Sequence, residues 1–399
     1  MRKLKSVLGS LIIAVIAIMA AIDATVSFAR RVNPAVTLSF YPNDPVALSL
    51  QSEKVILGGT EAKNIDKLGH YARIAIQRQP LNAAALSQLG LSYANQNGTR
   101  AGVLMNVAFK MSRRDILTQL WYIEKSKSEG KIAAALSYYD IGMRTLSSST
   151  SYFFPILTAD LGAPEFRLVF LPYIKSNPDW VSPFLSFASA NTGDPSNIAS
   201  MIEEGGGLPK DKSFRAIEGA LLAQLVNKSD PAAVKKFYLS LKQNASKNVL
   251  TSLEFNKIST DVNRNPVTWS TVQSAKGESV FFDDASHKNL YLRAAVLSGE
   301  REIVARKLMF LTPGNYAPSL KIDQSKIAQG ALVSLDIYCV EAGKYQLLQH
   351  RESGLSSGSQ VRISANCKAQ NFDISLYGGD NQNGAEVVIH SVSMKLISG

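Results

Sequence analysis

The chain has 399 residues, 46% of them hydrophobic, and a net charge of +11 from 43 basic and 32 acidic side chains. That length accommodates two or three domains with substantial cores, and the composition excludes a collagen-like or broadly disordered chain. Part of the positive surplus is local, since Arg2, Lys3, Lys5, Arg30 and Arg31 face Asp23 alone in the first 31 residues; the rest is thinly spread, which excludes the clustered cationic stripe of a nucleic-acid binder.

The first predicted element is a targeting or anchoring segment over residues 1–31. After three cations the chain runs apolar from Val7 to Ile22, 16 residues interrupted only by Gly9 and Ser10. That run is shorter than the roughly 20 residues that span a bilayer comfortably and long for the apolar region of a cleaved signal. The preferred reading is an uncleaved anchor, inserted through residues 7–22; cleavage near Ala21 and Ala24 is the alternative. The leading cations should stay in the cytoplasm. The bulk of the chain, after about Asp23, is therefore expected to be exported, on a single-pass anchor or free after cleavage.

Helical repeats are expected next, over residues 44–255. In "NAAALSQLGLSYANQNGTRAGVLMNVAFK" (Asn82–Lys110), Leu86, Leu89, Gly90 and Tyr93 share one helix face. Ala101, Met105 and Ala108 put small or flexible residues where two helices approach. "NQNG" between them predicts a turn, because Asn-Gly tolerates positive φ. The pattern recurs 34 residues later at Leu120, Ile123, Ala135, Tyr139 and Gly142, and 33 residues earlier at Leu68, Ala72 and Ala75, closed by Pro80. A helix–turn–helix unit of about 34 residues is the tetratricopeptide period, and the quoted segment resembles that family. Trp121, Glu124 and Lys127 depart from it, standing where the family has Leu, Gly and Tyr. Beyond Ser147 the register fades, but proline-punctuated helix pairs continue, with Asp194 and Asp230 capping helices that open on Pro195 and Pro231. The expected shape is a right-handed α-solenoid.

After residue 262 the period changes to 2. Runs such as "SVFFDD", "NLYLRAAVL", "EIVARKLMFL", "ALVSLDIYCV", "KYQLLQHR", "FDISLYGG" and "AEVVIHSVSMKLI", separated by turns at "TPGNY", "EAGKY" and "GGDNQNG", predict antiparallel strands. Residues 262–399 are expected to form a jelly-roll-like β-sandwich. Cys339 and Cys367 lie late in strand-like runs. An oxidising compartment favours a disulfide between them; two buried thiols are the alternative.

Longer stretches add a second resemblance. "MSRRDILTQLWYIEKSKSEGKIAAALSYYDIGMRTL" (Met111–Leu146), "NPDWVSPFL" (Asn177–Leu185) and "NPVTW … VARKLMFLTPGNY" are similar to membrane-anchored tetratricopeptide proteins of the α-proteobacterial envelope, in which a carbohydrate-binding-like sandwich follows the repeats. The resemblance implies an architecture and work on the envelope or surface polysaccharide. It supplies no catalytic residue.

Catalytic signals are weak. "GLSSG" (Gly354–Gly358) matches the nucleophile-elbow pattern but lies between strand-like runs, where that motif needs a strand–turn–helix. "EEGGGLPKDKS" lacks the phosphate-loop spacing. His70, His287, His350 and His390 show no ligand spacing, and Asp283-Asp284 reads as a turn. No metal or cofactor is expected. The chain is expected to be a non-catalytic scaffold that binds a protein partner through its repeats, at Tyr93, Asn97, Arg100, Lys127 and Tyr138. A glycan-binding role for the sandwich is the first alternative, with Tyr338, Tyr377, Asp380, Asn381 and Asn383 as sugar contacts. A carbohydrate-active enzyme with an unrecognised site is the second.

Overall fold

The structure is a computed structural model that describes residues 2–58, 65–241, 247–255, 265–283, 289–323, 330–341, 343–352, 360–380 and 382–398. Gly354–Gly358, Asp284, His287 and Asn381 lie outside the described residues. The chain packs as two units, residues 1–153 and 154–399.

The first unit holds α1 (Arg2–Val32), α2 (Pro34–Phe40), α3 (Pro45–Leu57), α4 (Ile65–Arg78), α5 (Ala83–Tyr93), α6 (Gly98–Met111), α7 (Ile116–Ser128) and α8 (Ile132–Thr145). Helix starts are set by side-chain caps. Asp44, Asn82, Asn97 and Asp115 accept from the backbone N–H of Ala47, Ala85, Arg100 and Thr118, each cap contributing about 1 kcal/mol. The turn at "NQNG" therefore works differently from the expectation. Asn97 holds φ −151° and uses its amide oxygen as a cap, so positive φ plays no part there.

Consecutive helices α3 to α6 pack on one another, as do α7 and α8, and α5 also touches α3 and α7. The recurring small residues make those approaches. Ala101, Met105 and Ala108 are buried, as are Ala135, Tyr139 and Gly142 one period later and Ala72 and Ala75 one period earlier. Leu86 and Leu89 are only half-buried, and α5 turns Ser87 and Gln88 inward instead. Gln88 then donates to the carbonyl of Ser49 at 2.7 Å, and Asn82 to the hydroxyl of Ser49 at 3.1 Å, which ties α5 to α3.

In the second unit, α9 (Thr150–Asp160) continues from the first, followed by α10 (Pro164–Ser176), α11 (Val181–Asn191), α12 (Pro195–Glu204), α13 (Lys212–Lys228) and α14 (Pro231–Ser240). Pro164, Pro195 and Pro231 occupy first-turn positions, where the missing N–H costs nothing. Phe154, Phe170, Trp180 and Phe184 pack edge-on or tilted at 5.4–6.1 Å between centroids.

Ten strands come next: β1 (Ser270–Thr271), β2 (Gly277–Asp283), β3 (Leu290–Val296), β4 (Arg301–Met309), β5 (Gly314–Ile322), β6 (Leu332–Glu341), β7 (Lys344–Glu352), β8 (Val361–Ile363), β9 (Gln370–Tyr377) and β10 (Ala385–Ser398). They form two antiparallel five-stranded sheets, β1-β4-β9-β6-β7 and β2-β3-β10-β5-β8. Leu292, Val387 and Ile389 of one sheet and Leu335, Phe372 and Ile374 of the other share one buried cluster. Strand β5 begins inside "TPGNY", which reads as a turn in the sequence. Its Pro318 is tolerated because β8 pairs only with Gly314–Tyr316, so no ladder bond is missing at the proline. Cys339 of β6 and Cys367, ahead of β9, are joined in a disulfide with a Cα–Cα distance of 5.5 Å.

The segment before the strands belongs to the same core. Leu253 and Phe255 lie in the cluster, and three donors grip the backbone beside them. Phe310 N donates to the Leu250 carbonyl at 2.8 Å, Lys307 Nζ to the Ser252 carbonyl at 2.7 Å and Trp269 Nε1 to the Leu253 carbonyl at 3.0 Å. Lys307 is fully buried, and burial lowers its pKa to about 7, opposed weakly by Glu254.

Two outcomes test this packing. A methyl group on Gly142 would stand 2.3 Å from Phe153 Cε2, so Gly142→Ala should lose about 1–3 kcal/mol of stability in denaturant titration. The unfolded state holds a proton on Lys307 up to 10.5 while the folded state releases it near 7. More protons are thus bound unfolded across that window, and folding stability should rise with pH through it. Lys307→Met should flatten that component of the profile, measured by denaturant titration across the window.

Candidate binding surfaces

The five residues expected to meet a protein partner fall into separate settings in the first unit. Tyr93, at the end of α5, lies under the guanidinium of Arg100, 4.2 Å from the ring centroid. Its hydroxyl accepts from Arg73 of α4 at 3.2 Å. That hydrogen bond, with the positive charge of Arg100, holds the phenol below its usual range. Asn97 caps α6 through its amide oxygen, and Lys127 pairs with Glu124 at 2.9 Å. Tyr138 of α8 stacks on Tyr122 of α7 at 4.7 Å and meets Phe109 of α6 edge-on at 5.7 Å.

Two clusters emerge, each only half legible in the sequence. One is Arg73–Tyr93–Arg100, a cation–aromatic group drawn from α4, α5 and α6. The other is Phe109–Tyr122–Tyr138, extended by Trp121, which meets Tyr122 edge-on at 4.8 Å and carries Lys125 over its ring at 4.9 Å. Sequence reasoning misses Arg73, Phe109 and Tyr122 because each belongs to a different helix from its cluster partners.

Two carboxyls in this unit sit above their ordinary range. Burial raises Asp115, against hydrogen bonds from Thr118 and Ser87, and burial raises Glu53, with Asp115 adding to it. A raised carboxyl pair is what acid–base chemistry uses. Here, however, Asp115 is engaged as the cap of α7, which accounts for its position without catalysis.

The sugar-contact residues map to the two-sheet region. Side chains alternate across each strand, and Val333, Leu335 and Ile337 point into the core. Ser334, Asp336 and Tyr338 therefore occupy the opposite face of β6. Cross-strand register sets Arg306, Asp373, Asp336 and His350 side by side on β4, β9, β6 and β7. Two carboxylates directly opposite each other repel; the flanking Arg306 cation and the hydrogen bond with His350 relieve this. Arg306 donates twice to Asp373, at 2.7 Å each, and His350 Nδ1 meets Asp336. The hydrogen bond with Asp336, helped by Glu352, holds the imidazole above its ordinary pKa.

Tyr338 and Tyr377 lie on this same face, and Tyr345 meets Tyr338 edge-on at 6.3 Å. Arg301 stands over the Tyr377 ring at 5.7 Å, and the Tyr377 hydroxyl donates to Asp380. Asn383 is elsewhere, lining a groove of about 370 Å³ with Lys276, Glu278 and Glu386. The structure thus brings Tyr338, Tyr377 and Asp380 to one face and leaves Asn383 apart. The charged row is legible in principle: Asp336 and Asp373 are polar interruptions at the alternate positions of "VSLDIY" and "NFDISLY". Among the described residues, no group of three metal-ligating side chains occurs.

The raised imidazole gives a direct check. In a proton NMR titration the His350 ring should hold its proton to higher pH than a free histidine, and Asp336→Asn should bring its midpoint down toward the ordinary value.

No family model matches the chain, and no curated protein matches it in sequence.

Proposed function

We propose that this protein is a non-catalytic scaffold held in a bacterial inner membrane by α1, with its remaining mass in the periplasm. The observation that carries the reading is the stretch Ile12–Val32, long and apolar enough to cross a membrane and with none of its residues buried in the protein. A helix apolar all round needs either a protein core or a lipid phase, and α1 has no such core. On this reading the later helices are tetratricopeptide-like hairpins forming a solenoid. The contacts of α5 with α3 and α7, and the recurring buried Ala, Met, Tyr and Gly positions, support it. Protein partners then dock on the Arg73–Tyr93–Arg100 and Phe109–Tyr122–Tyr138 clusters, whose aromatic and arginine content suits an interface. The role is in assembly of the envelope or its surface polysaccharide, where confinement to a membrane raises the effective concentration of whatever the modules hold.

A second reading has its own support. The strand order β3-β10-β5-β8 against β4-β9-β6-β7 suits a jelly roll, a fold common among lectins. The face bearing Tyr338, Tyr377 and the Arg306–Asp373–Asp336–His350 row combines aromatic rings with paired polar groups, the chemistry of sugar recognition. Glycan binding there is the alternative to scaffolding.

Photo-crosslinking in intact cells separates them. A benzophenone amino acid at Tyr93 or Tyr138 should trap an envelope-assembly protein, and one at Tyr377 should trap little. Polysaccharide adducts at Tyr377, with none at Tyr93 or Tyr138, would replace scaffolding by glycan binding.

A further inference from the structure

Cations and acids are placed differently in the first unit. Helices α4 to α6, residues 65–111, carry Lys67, Arg73, Arg78, Arg100 and Lys110 against Asp66 alone. Acids elsewhere in the unit are committed: Asp44 to Arg30, Glu124 to Lys127, Asp140 to Arg144, and Asp115 to the cap of α7.

Two of those cations converge. Arg73 and Arg100 are exposed and stand 6.0 Å and 4.2 Å from the centroid of the Tyr93 ring. Among the described residues neither forms an ion pair. Two guanidiniums around one ring repel each other, and the negative face of the aromatic offsets only part of that. Their donors are also unspent. Arg73 gives one N–H to the Tyr93 hydroxyl at 3.2 Å, Arg100 lies over the ring, and a guanidinium has further N–H groups in its plane. The hydroxyl accepts from Arg73, so its own proton is left to donate, and the positive charge around it makes it a stronger donor. Asn97 accepts from the Arg100 backbone N–H at 2.9 Å. That cap fixes Arg100 in the first turn of α6, where the helix dipole adds positive potential.

We propose that the Arg73–Tyr93–Arg100 cluster is a carboxylate-binding site, and that the protein docked on it presents a segment rich in Asp and Glu. The inference deepens the scaffold reading and rests on it. A partner carboxylate accepts from the guanidiniums and from the Tyr93 hydroxyl, in hydrogen bonds that charge on both sides strengthens. The planar fork of arginine suits that geometry, where a lysine would supply only a point charge. Lys67, Arg78 and Lys110 on the same helices act at longer range, on the rate of encounter more than on affinity. Arginine and tyrosine are enriched at protein interfaces, which favours a protein over an acidic polysaccharide bearing the same group.

Fluorescence anisotropy of a short labelled peptide of alternating Glu and Ala, titrated with the full chain in a neutral detergent, tests the site. The Gln–Ala counterpart should bind about tenfold more weakly, the loss of roughly one charge-assisted hydrogen bond. Arg73→Gln with Arg100→Gln should bring the acidic peptide down to that level, and Tyr93→Phe, which keeps the ring, should weaken it about threefold. Arg78→Gln with Lys110→Gln removes the same charge from the same two helices and should leave affinity within about twofold. Equal binding of the two peptides, or an equal loss from the two double variants, overturns the proposal, as does tighter binding of a polyuronate oligosaccharide than of the acidic peptide. A benzophenone amino acid at Tyr138, in the other cluster, keeps the two levels apart. Protein trapped there in intact cells leaves the scaffold standing when the peptide fails; polysaccharide adducts at Tyr377 with no protein at Tyr138 remove scaffold and site together.

Discussion

The solvation of α1 is the constraint on which the rest of the functional reading depends. Ile12–Val32 is 21 residues, roughly 31 Å of helix at 1.5 Å per residue, against a hydrocarbon core of about 30 Å. Ile13, Ile16, Ile18 and Met19 are each at least 60% exposed. Leaving such surface in water costs about 25 cal/mol for every Å², and a bilayer removes that cost. The helix is joined firmly to its neighbours in the chain: Arg30 is bonded to the cap of α3, and Lys54 of α3 donates to the Val32 carbonyl at 3.4 Å. A span fixed in the membrane therefore also fixes the first helices of its unit.

Both units solve the problem of close approach with few residue types. Among the helices, Ala and Gly at repeating positions let neighbours meet, and the aromatic partner takes up the volume, as Phe153 does over Gly142. Among the strands, a row of outward positions on β4, β9, β6 and β7 is polar and paired. The Asp336–Asp373 opposition is tolerated only because Arg306 and His350 flank it. Ser334, Asn371, Asp373 and Ser375 are all nearly inaccessible although they face away from the apolar cluster; Arg306 is bonded to Asp373, Arg301 to Ser334 and Asn371 to Asp373.

The buried Lys307 obeys the same rule of pairing. A lysine with no accessible surface is expensive to keep charged, and its lowered pKa reflects that. Its ammonium donates to the Ser252 carbonyl at 2.7 Å. With Trp269 and the Phe310 amide it binds residues 250–253 to the strands, so the chain entering the two-sheet region is part of its core.

The periodicities, the caps and the compositional break were legible in the chain itself, because they are local. A 34-residue recurrence of small residues, Asp or Asn ahead of a helix, and alternation in "VSLDIYCV" each arise from the spacing of side chains along one element. That much gave the apolar first helix, the helical region, most strands, and the caps at Asp194 and Asp230. Tertiary structure alone decided which elements meet. It turned Ser87 and Gln88 inward in place of Leu86 and Leu89, and joined Cys339 to Cys367. It also set Arg73 and Arg100 around Tyr93, ranked four charged residues from four strands in one row, and folded Tyr41 back beside Met19. The physical reason is that these contacts depend on strand register and helix rotation, which are set by packing between segments far apart in the chain.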